Sequence, residues 1–262
     1  MASGKPLEGK IAIVTGASKG IGRAIALRLA QDGATMVITA RTEGDLAKVA
    51  SQIKSSGGRA THVAGDLRDP AVPAAIVRAA IDAHGAIDVV VNNAGATKHG
   101  DFFALTETDW TDGFALKFYG AVRMTRAAWP HLKARRGSLL NIIGIGGRTP
   151  TAEFTIGGSV NGAFLSFSKA MSEIGVRDGV QVNAINPGRV MTERFQPTLD
   201  QEAALHGGDE NAAVQSIVRK SMIVRLGEPE DIASLAAFML SPQSRYMQGA
   251  MLDIDGGQTK TI

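Results

Sequence analysis

A single-domain α/β fold built on a doubly wound parallel sheet is what this sequence predicts, and three observations carry it. Short apolar, β-branched runs alternate with longer amphipathic stretches along the whole chain. A glycine-rich turn joins the first run directly to the first amphipathic stretch. The 262 residues, 44% hydrophobic and 20% charged, suffice for one packed core, and no linker, repeat or low-complexity tract divides them.

Ile11–Thr15 opens the pattern as a short run with no charged position, and Gly20–Asp32 follows as an amphipathic helix. Met36–Ala40 is the second strand and Asp45–Ser55 the second helix. Thr61–Ala64, Pro70–His84 and Val89–Asn92 continue the alternation of strand, helix and strand. Asp109–Ala134 reads as one long helix, Leu139–Ile143 as the fifth strand and Gly158–Gly175 as a second long helix. Val180–Asn186 and Ala250–Ile254 complete seven strands. Buried strands with helices between them imply right-handed crossovers and a parallel sheet covered on both faces.

Composition excludes several classes of function. There is no cysteine, hence no disulfide, thiolate metal site or Cys nucleophile. The five histidines lack ligand-like spacing, so no metal site is expected. A formal net charge of +3 is mild, whereas nucleic-acid binding wants a concentrated basic stripe. The densest basic spot, Lys133, Arg135 and Arg136, closes a helix, where cations suit the negative end of the dipole. No run of about 18 apolar residues is present, so no membrane span is expected. Met1–Lys10 lacks the apolar core of a signal peptide, and the expected location is the cytoplasm.

Thr15-Gly16-Ala17-Ser18-Lys19-Gly20-Ile21-Gly22 turns from strand into helix. Gly16 and Gly20 let the backbone bend and approach a pyrophosphate, Gly22 permits close helix–strand packing, and the helix N-terminus favours the anion. Asn92-Asn93-Ala94-Gly95 ends the fourth strand. With these motifs the chain resembles the short-chain dehydrogenase/reductase family from Leu7 to Gly257, Asp255-Gly256-Gly257 included. The resemblance implies a Rossmann-type domain over residues 1–262 that binds a nicotinamide dinucleotide. It places Ser18 and Ile21 in the phosphate turn, Asp66 and Leu67 at the adenine, and Asn93, Ala94 and Gly95 along the cofactor. Pro187, Gly188, Val190 and Thr192 fall where the family holds the nicotinamide carboxamide. NAD-binding members usually carry an acid at the end of strand two. Here Thr39-Ala40-Arg41 stands there, and Arg41 with Lys19 can pair with a 2′-phosphate, so the expected cofactor is NADP(H).

The catalyst is another matter. The family's chemistry is usually carried by a Tyr-x-x-x-Lys pair, yet the two tyrosines here, Tyr119 and Tyr246, have no lysine four residues later. The family's lysine lies about 26 residues before the proline of the Pro-Gly motif, which is Asn161 in this chain. Its tyrosine then falls on Gly157, its serine on Gly144, and its asparagine, seven residues after Trp110, on Lys117. Ser168-Lys169 mimics the end of the motif, but its tyrosine position is Leu165, and Lys169 is read as an exposed residue further along the helix. Gly144 and Gly157 imply a roomier floor beside the nicotinamide. Asn161 is long enough to hydrogen-bond the nicotinamide ribose. Lys117 is the first candidate for a replacement acid, because a partly desolvated lysine titrates near neutrality. Its other reading is a lysine that reaches solvent or pairs with an acid. Glu153, Thr155, Ser159 and Tyr119 are the remaining candidates.

Two readings of function stand beside each other. One is an NADP(H)-dependent oxidoreductase for a carbonyl or alcohol with a non-standard proton donor. The other is a cofactor-binding pseudoenzyme, a sensor or assembly partner. Nucleic-acid binding has only the mild basicity in its favour. Residues 193–225 form the expected substrate lid, whose Arg194, Arg219, Lys220 and Arg225 suit an acidic or CoA-like substrate as well as they suit solvent. The apolar face Val160, Phe164, Phe167, Ala170 and Met171 implies a homodimer or homotetramer.

Overall fold

In chain order the strands are β1 (Ile11–Thr15), β2 (Thr35–Ala40), β3 (Arg59–Ala64), β4 (Val89–Asn92), β5 (Ser138–Ile142), β6 (Gln181–Pro187) and β7 (Met251–Ile254). They form one seven-stranded sheet in the order β3-β2-β1-β4-β5-β6-β7, every neighbouring pair parallel. The structure is a computed structural model that describes residues 4–260; Met1–Ser3 and Thr261–Ile262, which the expected 1–262 domain includes, lie outside the described residues.

The helices are α1 (Gly20–Gln31), α2 (Glu43–Ser55), α3 (Val72–His84), α4 (Glu107–Phe114), α5 (Gly120–Arg135), α6 (Thr155–Asp178), α7 (Gln196–Ala204), α8 (Glu210–Ser221) and α9 (Pro229–Leu240). Period-two alternation along the strands divides the core into two layers. Val14, Val89 and Val91 pack with Ile25 and Leu29 of α1 and Ile232 and Ala236 of α9. Ile13 and Val90 point the other way, onto Ile76 of α3 and Met124 and Leu132 of α5. Each such fully buried side chain contributes roughly 1.5–3 kcal/mol, so central strands must be apolar on both faces.

Most boundaries shift by one or two residues from the sequence reading, and two larger differences matter for the site. The long helix expected over Asp109–Ala134 is interrupted by a π-helical turn, Ala115–Tyr119, between α4 and α5. Hydrophobic periodicity persists on either side of such a turn, which is why the pattern does not reveal it; π turns often mark functional positions. The helix expected from Gly158 begins at Thr155, which draws Gly157 into its first turn, and it ends where Gly179 adopts φ +74°.

Two of the three cations in the basic spot have acid partners. Lys133 pairs with Asp178 at 2.9 Å, and Arg135 meets the buried carboxylate of Asp88 at 3.1 Å. Asp88 also accepts from Lys10 Nζ and from the Ile11 amide, so these cations anchor the amino end of the sheet. Residues 193–225 carry α7 and α8, packed around Leu199, Ala203, Ala213, Ile217, Ile223 and Leu226. No helix among the described residues is long and apolar enough to cross a membrane.

Candidate active site

β1 and β4 are neighbours in the sheet but distant in sequence, so the chain leaves their carboxyl ends in opposite directions. The crevice above such a reversal is where open α/β sheets bind ligands. Thr15 ties its two sides together: its Oγ1 accepts from the amides of Asn93 (2.9 Å) and Ala94 (3.0 Å). Asn93 Nδ2 donates back to the Thr15 carbonyl at 3.0 Å. A Cβ on Gly22 would overlap the Gly16 carbonyl oxygen and Asn93 Nδ2. Gly16 and Gly20 take φ +65° and +54°, conformations that favour glycine. The turn thus forms a backbone cradle at the N-terminus of α1, with Ser18 half-buried and Ile21 packed on the core.

On the far side, Gly188 lies so close to Asp255 that a Cβ would stand 2.6 Å from the aspartate Cβ. The Gly188 amide donates to Ile254 at 3.1 Å, and Met191 donates to Gly227 at 2.8 Å, next to the Val190–Gly227 bridge. This holds the segment after Pro187 in place and sets the Thr192 methyl 3.3 Å from the position of a Gly20 Cβ. Between Gly20 and Arg23 on one side and Thr192 and Glu193 on the other remains a cleft of about 290 Å³. Lys19, in the turn, and Arg41, one residue past β2, are both exposed. Asp66 binds the Arg68 amide (3.0 Å) and guanidinium (2.9 Å), and Leu67 is buried beside it.

Lys117 occupies the middle of the π turn. Its stem runs along Gly95, where a Cβ would stand 2.9 Å from the lysine Cγ and Cδ, and its ammonium donates to the Ile143 carbonyl just past β5. The ammonium is thus turned to a backbone carbonyl, and among the described residues it has no acid partner. Burial, reinforced by the Arg194 guanidinium, lowers its pKa to about 7.

Gly144 follows directly, with φ +129°. A Cβ there would lie 3.2 Å from Asn161 Nδ2, so Gly144 and Asn161 face each other. Asn161 is 2% exposed, and its Oδ1 has no hydrogen-bond partner among the described residues. A buried acceptor left open in this way fits a ligand hydroxyl.

The roomier floor expected from Gly157 is not there. Phe154 turns its ring back over α6, so a Cβ on Gly157 would overlap it, and a Cβ on Gly146 would stand 2.8 Å from its edge. His99 stacks on the same ring, centroids 4.3 Å apart and planes 27° apart. The space vacated by the backbone has been taken by an aromatic plug.

Other candidates separate cleanly. Tyr119 is 48% exposed and lies under the Arg123 guanidinium. Glu153 and Ser159 are exposed, whereas Thr155 Oγ1 is buried without a partner. Lys169 is exposed and donates to the Gly249 carbonyl at 3.1 Å. Among the described residues no three His, Cys, Asp or Glu side chains gather in a metal-holding group. Sequence reasoning missed Phe154, His99 and Arg189. Only Phe154 left a signal, since it precedes Gly157 by three residues, one helical turn.

The family model for short chain dehydrogenases matches residues 10–203. A 3-oxoacyl-(acyl-carrier-protein) reductase of Vibrio harveyi is 35% identical over 253 residues, covering 96% of this chain and 98% of that protein. The crystal structure of L-sorbose reductase from Gluconobacter frateurii, complexed with NADPH and L-sorbose, superposes with a TM-score of 0.94 at 31% identity, covering 98% and 99% of the two chains. A short chain dehydrogenase from Burkholderia cenocepacia in complex with NADP gives 0.85 at 28% identity, covering 97% and 99%. The chain belongs to the short-chain dehydrogenase/reductase family and is an oxidoreductase by that membership.

Proposed function

We propose that this protein is an NADP(H)-dependent oxidoreductase that interconverts a carbonyl and an alcohol, with Lys117 replacing the family's tyrosine as proton donor. The observation that carries the reading is Lys117 itself: a half-buried lysine at the carboxyl ends of β4 and β5, with a pKa lowered to about 7. A general acid works best when its pKa lies near the working pH.

The chain's residues fit the cofactor. The cradle of Gly16, Ser18, Gly20, Ile21 and Gly22 receives the pyrophosphate, and Asp66 and Leu67 bound the adenine side. Asn93, Ala94 and Gly95 line the middle of the crevice. Pro187, Gly188, Val190 and Thr192 face the nicotinamide, and the open Asn161 Oδ1 accepts from its ribose. When bound, the nicotinamide supplies or removes a hydride. Lys117 Nζ gives a proton to the developing alkoxide in reduction and takes one in oxidation. Solved relatives bound to NADPH and NADP support the choice of cofactor. Residues 193–225 serve as the lid over the substrate.

Arg41 and Lys19 assign the phosphate form of the cofactor. NADPH is expected to bind more tightly than NADH, and Arg41→Ala to weaken NADPH by on the order of tenfold or more while leaving NADH nearly untouched, since a charge-assisted contact is worth about 1.5–3 kcal/mol. Fluorescence titration with both cofactors, followed by NADPH turnover on a carbonyl panel, tests this. Equal affinities refute the assignment, and NADPH binding with no turnover on any carbonyl makes the protein a non-catalytic cofactor binder.

The working form is proposed to be a cytoplasmic homodimer or homotetramer. Val160 and Phe164 are buried within the protomer, but α6 still presents Ala170 and Val176 to the outside. Twofold packing of this helix covers them. Light scattering at micromolar concentration is expected to give a multiple of 27.4 kDa; a monomeric mass rejects it.

A further inference from the structure

We infer that the substrate carries a carboxylate, bound by Arg189 and Arg194 beside Lys117; this rests on the oxidoreductase reading and names its substrate class. Lys117 and Arg194 converge on one residue. The lysine stem lies along Gly95, and Arg194 Nη2 donates to the Gly95 carbonyl, bringing a lid cation back over the crevice at the level of the lysine stem. Arg189 sits between Gly188 and Val190, in the segment pinned to Gly227. Its Nε is closed off from solvent and has no hydrogen-bond partner among the described residues. A buried guanidinium donor without a partner is unfavourable unless a ligand oxygen meets it. Burial lowers the His99 pKa; Glu153 works against that and Arg189 and Arg194 add to it, so the two arginines and Glu153 share one locality.

Two of the other lid cations have acid partners. Lys220 pairs with Glu202 at 2.6 Å, and Arg225 holds Asp231 through two bonds of 2.7 and 2.8 Å. Glu153 is exposed and acts on the same His99, and Glu193 faces the glycine turn, its Oε2 3.6 Å from the position of a Gly20 Cβ. Among the described residues neither acid forms an ion pair with Arg189 or Arg194, so both guanidinium groups are left without a carboxylate partner. The planar fork of arginine matches a carboxylate, with two parallel donors for two oxygens. An oxo acid places its carboxylate on this fork and its carbonyl toward the Lys117 ammonium.

The test uses the complex with NADP⁺, which cannot reduce a carbonyl, so binding is read by calorimetry without turnover. Pyruvate, acetoacetate and levulinate, in which carbonyl and carboxylate stand progressively further apart, are each titrated beside the neutral methyl ester. At least one acid is expected to bind tenfold or more tightly than its ester. Arg189→Met and Arg194→Met should each erase that preference while leaving ester and NADP⁺ affinities within about twofold, and Arg219→Met, an exposed lid cation, should preserve it. No preference across the three pairs overturns the inference, as does a preference that survives both variants. Weakened NADP⁺ binding instead assigns the arginines to the cofactor phosphates and also overturns it. Turnover of neutral ketones without any acid preference sinks this inference alone, whereas an acid preference without turnover removes the oxidoreductase reading alone.

Discussion

Lys117→Met is expected to lower turnover by roughly 10²–10⁴-fold, the ordinary contribution of a positioned acid or base, while NADPH binding stays within about twofold. Methionine keeps the length of the stem along Gly95 but carries no proton. The pH profile gives a second readout. In carbonyl reduction the ammonium is the reactive form, so the rate should fall as pH rises through about 7. In alcohol oxidation the neutral amine is the base, and the rate should rise through the same pH. Both limbs should vanish in the variant. Stability moves in the opposite sense to activity. The folded-state pKa lies below the unfolded value, so between about 7 and 10.5 the unfolded chain holds a proton that the native chain lacks. Native stability therefore rises with pH across that window, and the burial penalty is fully present below it. Removing the charge should raise the melting temperature near pH 6, with a net gain on the order of 1–2 kcal/mol after the lost bond to Ile143 is counted. Intact turnover, or a lower melting temperature, would make Lys117 a structural residue.

The strands and the cofactor crevice were legible because their physics is local. A buried parallel strand must be apolar throughout, and a turn that overlaps its own carbonyl without glycine must keep Gly22. Arg41 was placed by counting from the glycine turn, and it stands exposed one residue past β2. The catalytic floor was not legible in the same way. Gly157 reads as missing bulk, and the spacing of Phe154 one helical turn before it does not by itself say that the ring folds back to replace it. That depends on α6 starting at Thr155, where its first turn packs against the Gly146 loop and Pro150. The π turn was equally hidden, although Lys117 fell on it by spacing from Trp110. Arg189 lies inside the Pro-Gly segment that sequence reading singled out, yet only its unpartnered buried donor gives it meaning. Among the lid cations, sequence alone could not separate Arg194, which donates to the Gly95 carbonyl, from Lys220 and Arg225, which have acid partners.

Gly157→Tyr is expected to destabilise the protein rather than repair it. The new Cβ overlaps the Phe154 ring, and the ring is held from its other face by His99. Overpacking of this kind costs about 1–3 kcal/mol, and more when the neighbour cannot rotate away. Phe154→Ala alone removes a half-buried ring and leaves an opening, with a loss of roughly 1–3 kcal/mol, below the range for a fully buried phenylalanine. Each change relieves the defect made by the other, since the tyrosine fills the space that the phenylalanine leaves. The double variant should therefore be more stable than the sum of the single changes allows, by a coupling on the order of 1–3 kcal/mol in a denaturation cycle. Gly144→Ser should not share in that compensation. Its penalty comes from a backbone at φ +129°, which a side chain strains whatever the space around it, by about 1–3 kcal/mol. Additive losses at Gly157 and Phe154 would mean that the ring swings freely, and the floor would then be as open as the glycines alone imply. Strong positive coupling, with Gly144→Ser merely additive, identifies Phe154 as the residue that fills the space beside Gly157.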